Sequence, residues 1–287
     1  MDIPPAWQQI DLALHGVLMV IGAPDTGKST FAQYLYRRLC AESSRVAFLD
    51  GDPGQSTLGP PAMMTMAMSR DGDDSFPPRG KTWWRFVGAV SPTRHMLPVL
   101  VNAARLAQIA QDADAGADTI VYDTSGLVNP AQGGHHLKLA QVDLLRPTVV
   151  FAIQREQELG PILAPLRNSR VRVMELRPSK AVQARDIPTR QAHRASQFAH
   201  YFANARQVTA SWNHLAVSPA PRFAFNQLVA LEDAEGFTLG LGIVTLSDAA
   251  ARQVRLLSPL ASLDGVKALR LGDVMVDTKT FRDQPLV

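Results

Sequence analysis

The run Val17-Leu18-Met19-Val20-Ile21 has no polar position, which predicts a strand buried on both faces. Beyond the segment 22–30, Phe31, Leu35 and Leu39 recur at helical spacing while Arg37 and Arg38 fall off the stripe, so an amphipathic helix follows. The alternation continues with strands over 45–49, 83–90, 119–122 and 148–153. A helix is predicted over 96–110, where Leu97, Leu100, Ala104 and Ala107 keep step. The stretch 70–81 is dense in Asp, Gly and Pro and predicts an exposed loop. Strands alternating with helices predict an α/β fold with a mostly parallel sheet.

The pattern changes after Arg206. Short apolar runs separated by turns replace the helical period, and 223–231, Asp233-Ala234-Glu235-Gly236 and 237–246 read as a hairpin. Further short strands are predicted at 254–257, 266–269 and 273–276. The expected organisation is an α/β domain over 1–206 and a small, mainly β domain over 207–287.

Composition narrows the class. Of 287 residues, 46% are hydrophobic and 19% charged, which excludes disorder. Cys40 is the single cysteine, so an intrachain disulfide or a Cys-rich zinc site is excluded. The start Met1-Asp2-Ile3-Pro4-Pro5 lacks the layout of a signal peptide, and no apolar run reaches membrane-helix length. A cytoplasmic protein without a membrane partner is expected. The net charge is only +3, but residues 167–206 hold nine basic and two acidic side chains, leaving the rest of the chain acidic. A uniformly basic nucleic-acid coat is excluded, and one concentrated positive element is predicted.

The strongest chemical signal is Gly22-Ala23-Pro24-Asp25-Thr26-Gly27-Lys28-Ser29-Thr30, a P-loop pattern between a strand and a helix. Its backbone N–H groups would cradle phosphates at the positive end of the helix. Lys28 would bridge the outer phosphates, and Ser29 would hold Mg²⁺ beneath ATP. Acids at the carboxyl ends of parallel strands face such a nucleotide. Asp50 and Asp52 lie two apart and can share a site, one ordering the metal and the other accepting a proton, unless one only caps a turn. Asp123 opens an Asp-x-x-Gly segment of the kind found on the metal side of NTPases. Asp25 is unusual inside a phosphate loop, because it repels phosphate unless it turns toward a cation or a hydroxyl. A GTPase base-reading motif is absent.

The basic segment 177–206 reads as a mobile lid, with Arg185, Arg190 and Arg194 delivering charge to a transferring phosphoryl group. Arg94 opens the helix over 96–110 and is a candidate contact for a substrate phosphate.

Taken in order, several segments resemble the polynucleotide 5′-hydroxyl kinases. They are the loop 22–30, Phe48-Leu49-Asp50-Gly51-Asp52-Pro53-Gly54-Gln55, Phe86-Val87-Gly88-Ala89-Val90-Ser91-Pro92 and Val121-Tyr122-Asp123-Thr124-Ser125-Gly126-Leu127. The Arg-rich stretch ending in Tyr201-Phe202, Gly240-Leu241-Gly242-Ile243-Val244 and Leu271-Gly272 continue the resemblance. It implies a P-loop core with an Arg-rich helical lid, bound ATP and Mg²⁺, and a nucleic acid ending in a 5′-hydroxyl as substrate. It further implies that one acid of the Asp50/Asp52 pair is the base, with Asp52 the favoured one and Asp50 then beside the metal, that Thr124 and Gly126 clasp the P-loop lysine, and that Asp25 and Gln55 lie on the substrate side. Eukaryotic members carry Trp where this chain has Leu127, a position from which a ring stacks on a nucleobase; Trp83 and Trp84 are alternative platforms. A partner protein is expected at the β domain. Two competing readings are an ATP-binding scaffold of an RNA-processing complex and an ATPase switch whose acceptor is water.

Overall fold

The buried runs of the sequence become the strands of a central sheet. The computed structural model describes residues 3–42, 45–112 and 116–286, leaving Met1 and Asp2 of the amino-terminal stretch outside. A short helix α1 (Pro5–Gln8) precedes β1 (Gly16–Gly22), α2 (Lys28–Cys40), β2 (Val46–Gly51), β3 (Met63–Met68) and β4 (Thr82–Phe86). Next come α3 (Met96–Asp112), β5 (Thr119–Thr124), α4 (Gly134–Leu145), β6 (Val149–Ile153), α5 (Gly160–Leu166) and β7 (Arg172–Leu176). The strands lie in the order β4-β3-β2-β5-β1-β6-β7. β1 pairs in parallel with β5 and β6, β2 with β5, and β6 with β7, while β3 runs antiparallel to β2.

Helices explain why β1, β2, β5 and β6 lack polar alternation: both faces of the sheet are covered. The Phe31 ring of α2 lies 5.0 Å from that of Trp7, edge-on, and 5.0 Å from that of Phe151, fastening α1 and α2 to β6. α3 buries Val99, Ala103, Leu106 and Ala110, whereas Leu97 is exposed, so its inner face is rotated from the predicted one. The strand expected over 83–90 stops at Phe86. β3 and β7 were not anticipated: Met63–Met68 is a methionine-rich run with Thr65 as its single β-branched residue, and Arg172–Leu176 begins with a charge.

The chain resolves into two compact units. Residues 1–52, 64–83 and 92–185 form the first, and 53–63, 84–91 and 186–287 form the second. The division at 185/186 therefore differs from the expected one near 207, and it cuts the predicted lid in two. The reason is hydrophobic. Helix α6 (Ile187–Tyr201) buries Phe198, and Phe202 just beyond it, in a cluster with Leu228, Leu241, Ile243, Ala62, Met63 and Phe86. Residues 53–63 and 84–91 thus supply core side chains to the second unit.

The remaining strands of that unit are β8 (Arg206–Ser211), β9 (Ala216–Ser218), β10 (Gln227–Glu232), β11 (Thr238–Asp248), β12 (Gln253–Ser258), β13 (Ala268–Val276) and β14 (Asp283–Pro285). Their order is β14-β13-β10-β11-β12-β8, all antiparallel, with β9 added in parallel to β13. The expected hairpin is β10–β11, and the two strands expected at 266–269 and 273–276 are one, β13. Every residue of β10 is buried: Leu228 and Ala230 enter the cluster with Phe198, and Val229 and Leu231 enter a second one with Val254 and Leu269. That division follows from the two-residue period of a strand. Among the described residues no helix is long and apolar enough to cross a membrane.

Candidate active site

The loop joining β1 to α2 is held by its own polar groups. Thr26 Oγ1 and Lys28 Nζ both donate to the Ala23 carbonyl, at 2.9 and 3.1 Å. Gly27 adopts φ 82°, the left-handed region that glycine enters without cost. At Gly22 a Cβ would stand 2.6 Å from the Ile153 carbonyl and 2.7 Å from Thr26 Oγ1, so only glycine lets the loop close. With α2 beginning at Lys28, its unpaired N–H groups turn into the loop, the arrangement that receives phosphate. Thr26 is buried, so its side chain braces the loop.

Strand register brings the acids together. Asp50 of β2 and Asp123 of β5 are direct neighbours across a parallel pair, and Val20 of β1 is the next partner of Asp123. Asp50 Oδ1 accepts the N–H of Asp52 at 3.3 Å, so Asp50 also caps the turn that presents Asp52. Both carboxylate oxygens of Asp123 are buried and reach no partner at hydrogen-bonding geometry, although Ser29 is near enough to help hold the charge. Burial raises the Asp123 carboxyl to about 7, Asp50 and Asp52 add to the rise, and Lys28 opposes it. The sequence sets Asp123 at a strand end, opening an Asp-x-x-Gly segment, and the structure buries it beside Asp50 with its carboxyl raised.

A buried carboxylate without a partner, beside a P-loop serine, is a fit for a divalent cation. Magnesium usually keeps several waters and takes one or two carboxylates together with substrate phosphates. Ser29, Asp50 and Asp123 meet that description.

Lys138 was not anticipated. It lies on the inner face of α4, fully buried, and burial lowers its ammonium to about 7; Lys28 adds to the fall, and Asp52 and Asp123 oppose it. Gln141, one turn on, donates to the Tyr122 hydroxyl at 2.6 Å. That ring supports Gly51, where a Cβ would meet Tyr122 Cε2 at 2.4 Å. Lys138 and Gln141 at helical spacing, flanked by Leu137 and Val142, were the available sequence signal.

Other expected residues take different positions. Thr124 Oγ1 donates to the Val20 carbonyl at 2.8 Å, tying β5 to β1, so its hydroxyl is engaged away from Lys28. Gly126 packs against Pro24. The Asp25 carboxylate accepts the backbone N–H of Arg185 at 3.1 Å, and its carbonyl accepts from the Arg155 guanidinium. Arg177 in turn donates to the Arg155 carbonyl. Asp25 therefore anchors the first half of the basic segment to the P-loop. The side chain of Val182 lies 3.1 Å from where a Gly27 Cβ would be. Arg94 is exposed at φ 67°, and Leu127 is half-buried.

Gln55, Arg190 and Arg194 belong to the second unit. There Gln55 Nε2 donates to the Gly54 carbonyl at 2.7 Å. Arg194 makes a bidentate pair with Asp283, 2.9 Å at each contact, which commits its guanidinium to the fold of that unit. Trp84 packs on Tyr201 within the core of the same unit. Trp83, in the first, has Lys81 Nζ 4.9 Å above its ring.

Comparison with known proteins adds a family. The family model described as mRNA cleavage and polyadenylation factor CLP1 P-loop matches residues 22–204. A polyribonucleotide 5′-hydroxyl-kinase of Pyrococcus furiosus is 24% identical, over 90% of this chain and 87% of its own length. One from Methanocaldococcus jannaschii is 23% identical, over 91% and 87%. Among solved structures, that of wild-type Clp1p in complex with Pcf11p aligns with TM-score 0.65 at 13% identity, covering 92% of this chain and 75% of that one.

Proposed function

The chain belongs to the CLP1 P-loop family, and on that premise we propose that it transfers the γ-phosphate of ATP to the 5′-hydroxyl of a polynucleotide. The archaeal relatives are named for polyribonucleotides, and RNA is the acceptor we favour. The observation that carries the reading is the acid cluster beside the P-loop: Asp50 and Asp123 paired in register, with Asp52 presented two residues beyond Asp50.

Lys28 and the loop N–H groups hold the β- and γ-phosphates, Lys28 releasing the Ala23 carbonyl to do so. Asp52, half-buried and at the open end of β2, accepts the proton of the 5′-hydroxyl as the oxygen attacks the γ-phosphorus. The new P–O bond forms in line as the bond to the β,γ-bridging oxygen breaks, giving a 5′-phosphate and ADP. Ser29, Asp50 and Asp123 would hold Mg²⁺, which when bound neutralises phosphate charge. Arg185, tethered through Asp25, supplies the lid charge.

The assay is label transfer from γ-labelled ATP to matched RNA and DNA oligonucleotides with 5′-hydroxyl or 5′-phosphate ends. Label on the 5′-hydroxyl strands alone is expected, with RNA ahead of DNA. ATP hydrolysis that is indifferent to the oligonucleotide, or ATP binding with neither reaction, would replace this reading with the switch or the scaffold.

A further inference from the structure

The inner face of α4 carries a charge in an apolar setting. Leu137 and Val142 lie there as the helical period requires, but Lys138 and Gln141 do too, both fully out of water. An unpaired ammonium in such a place is costly, so its contacts deserve a reason. Lys138 Nζ donates to the Ser125 carbonyl at 2.8 Å and lies 3.3 Å from the Ser125 hydroxyl. Ser125 and Gly126 form the turn that leaves β5 directly after Asp123 and Thr124. On its other side that turn touches the P-loop: a Cβ on Gly126 would stand 3.0 Å from the Pro24 nitrogen and 3.1 Å from its Cα and Cγ.

We propose that Lys138 is a positioning residue, whose ammonium clamps the Ser125-Gly126 turn against Pro24 and so fixes the P-loop relative to the acid at the end of β5. It acts through the turn and touches no reactant. A lysine serving only the stability of the fold predicts something else, since replacing a buried charge by an apolar side chain of similar length is often neutral or stabilising. The two roles therefore separate in Lys138→Met, which keeps the stem and removes the donor.

The kinetic half of the test rests on the proposed phosphoryl transfer; the structural half does not. Hydrogen exchange is followed in the full-length wild type and in Lys138→Met, Gly126→Ala and the double variant. In Lys138→Met the amides of residues 124–128 should exchange at least ~10-fold faster, with the strand amides of β1 and β6 unchanged. Unaltered exchange at 124–128 overturns the clamp, whether or not the protein transfers phosphate. In the transfer assay, kcat should fall roughly 10-fold or more while the KM for ATP stays within about threefold, because misplacement by a fraction of an ångström penalises the reacting geometry first. Gly126→Ala pushes the same turn from its other side, so the double variant should lose little beyond the worse single one. Losses that multiply, or a kcat within about twofold of wild type in Lys138→Met, overturn the proposal. Ser125→Ala removes only the weaker contact and supplies a milder variant, expected to loosen the same peptide to a smaller extent. A wild type that fails to transfer phosphate sinks the functional reading, and the exchange data still decide the clamp.

Discussion

Arg194 separates a structural arginine from a catalytic one. The sequence offers it as a lid residue, four positions from Arg190, but its guanidinium makes two 2.9 Å contacts with Asp283, and the side chains are 14% and 5% exposed. Gln191 of the same helix donates to the Asp283 carbonyl at 2.9 Å, so the pair also fastens α6 to β14. Replacing Arg194 with Met leaves the Asp283 carboxylate buried without its partner, which costs about 3–5 kcal/mol. For a chain of this size that corresponds to a fall of roughly 10 °C in thermal midpoint. At a temperature where the variant remains folded, kcat for phosphoryl transfer should stay within about threefold of wild type, as expected for a residue away from the reaction. Arg194→Met combined with Asp283→Leu removes both charges and should recover most of the lost midpoint. The measurements are a thermal melt followed by circular dichroism and a transfer assay at 20–25 °C below the midpoint of the variant (about two steps of the expected shift). An unchanged midpoint with a kcat down by two orders of magnitude would refute the structural assignment and return Arg194 to the lid.

Asp52→Asn should lower kcat by roughly 10²–10⁴-fold, the usual contribution of a positioned base, with ATP affinity by calorimetry within about threefold of wild type; a variant retaining more than a tenth of the rate would move the base to another residue. Arg185→Ala should lower kcat more than ATP affinity if its charge acts on the transferring phosphoryl group, which single-turnover kinetics would show; weaker ATP binding with kcat unchanged would make it a ground-state contact. A third expectation concerns pH in the protein free of metal and nucleotide. The Asp123 carboxyl is raised from 3.8 to about 7, so between those values the folded state keeps a proton that the unfolded state has lost, and stability falls as pH rises. Lys138 is lowered from 10.5 to about 7, so between those values the unfolded state holds the extra proton, and stability climbs with pH. Denaturation at constant ionic strength should show the two slopes meeting in a minimum near neutrality, with Asp123→Asn flattening the acid side and Lys138→Met the alkaline side. Stability that rises with pH on the acid side of 7 would contradict the Asp123 assignment, and stability that falls with pH on the alkaline side would contradict that of Lys138.

The P-loop was legible because everything that makes it is local: an apolar run, a glycine-bounded loop and a helix with the right period lie within residues 17–40. Asp50 and Asp52 were legible for the same reason. The place of Asp123 was not, because its approach to Asp50 depends on the order β2-β5-β1, which chain order does not specify. The unit boundary was hidden in a similar way. Ala62, Met63 and Phe86 are apolar residues suited to either core, and only the packing of Phe198 and Phe202 shows which one they complete. Lys138 was obscured by a general rule that is usually right, that a lysine on a helix faces water. What overrides the rule is a contact with the turn after β5. The Ser125 carbonyl takes up the Lys138 ammonium at 2.8 Å, and Asp52 and Asp123 oppose the effect of burial on its charge without cancelling it. That carbonyl lies where it does because β5 runs between β2 and β1. The position of Lys138 on α4 thus answers a turn that strand order places and that the local pattern along α4 does not display.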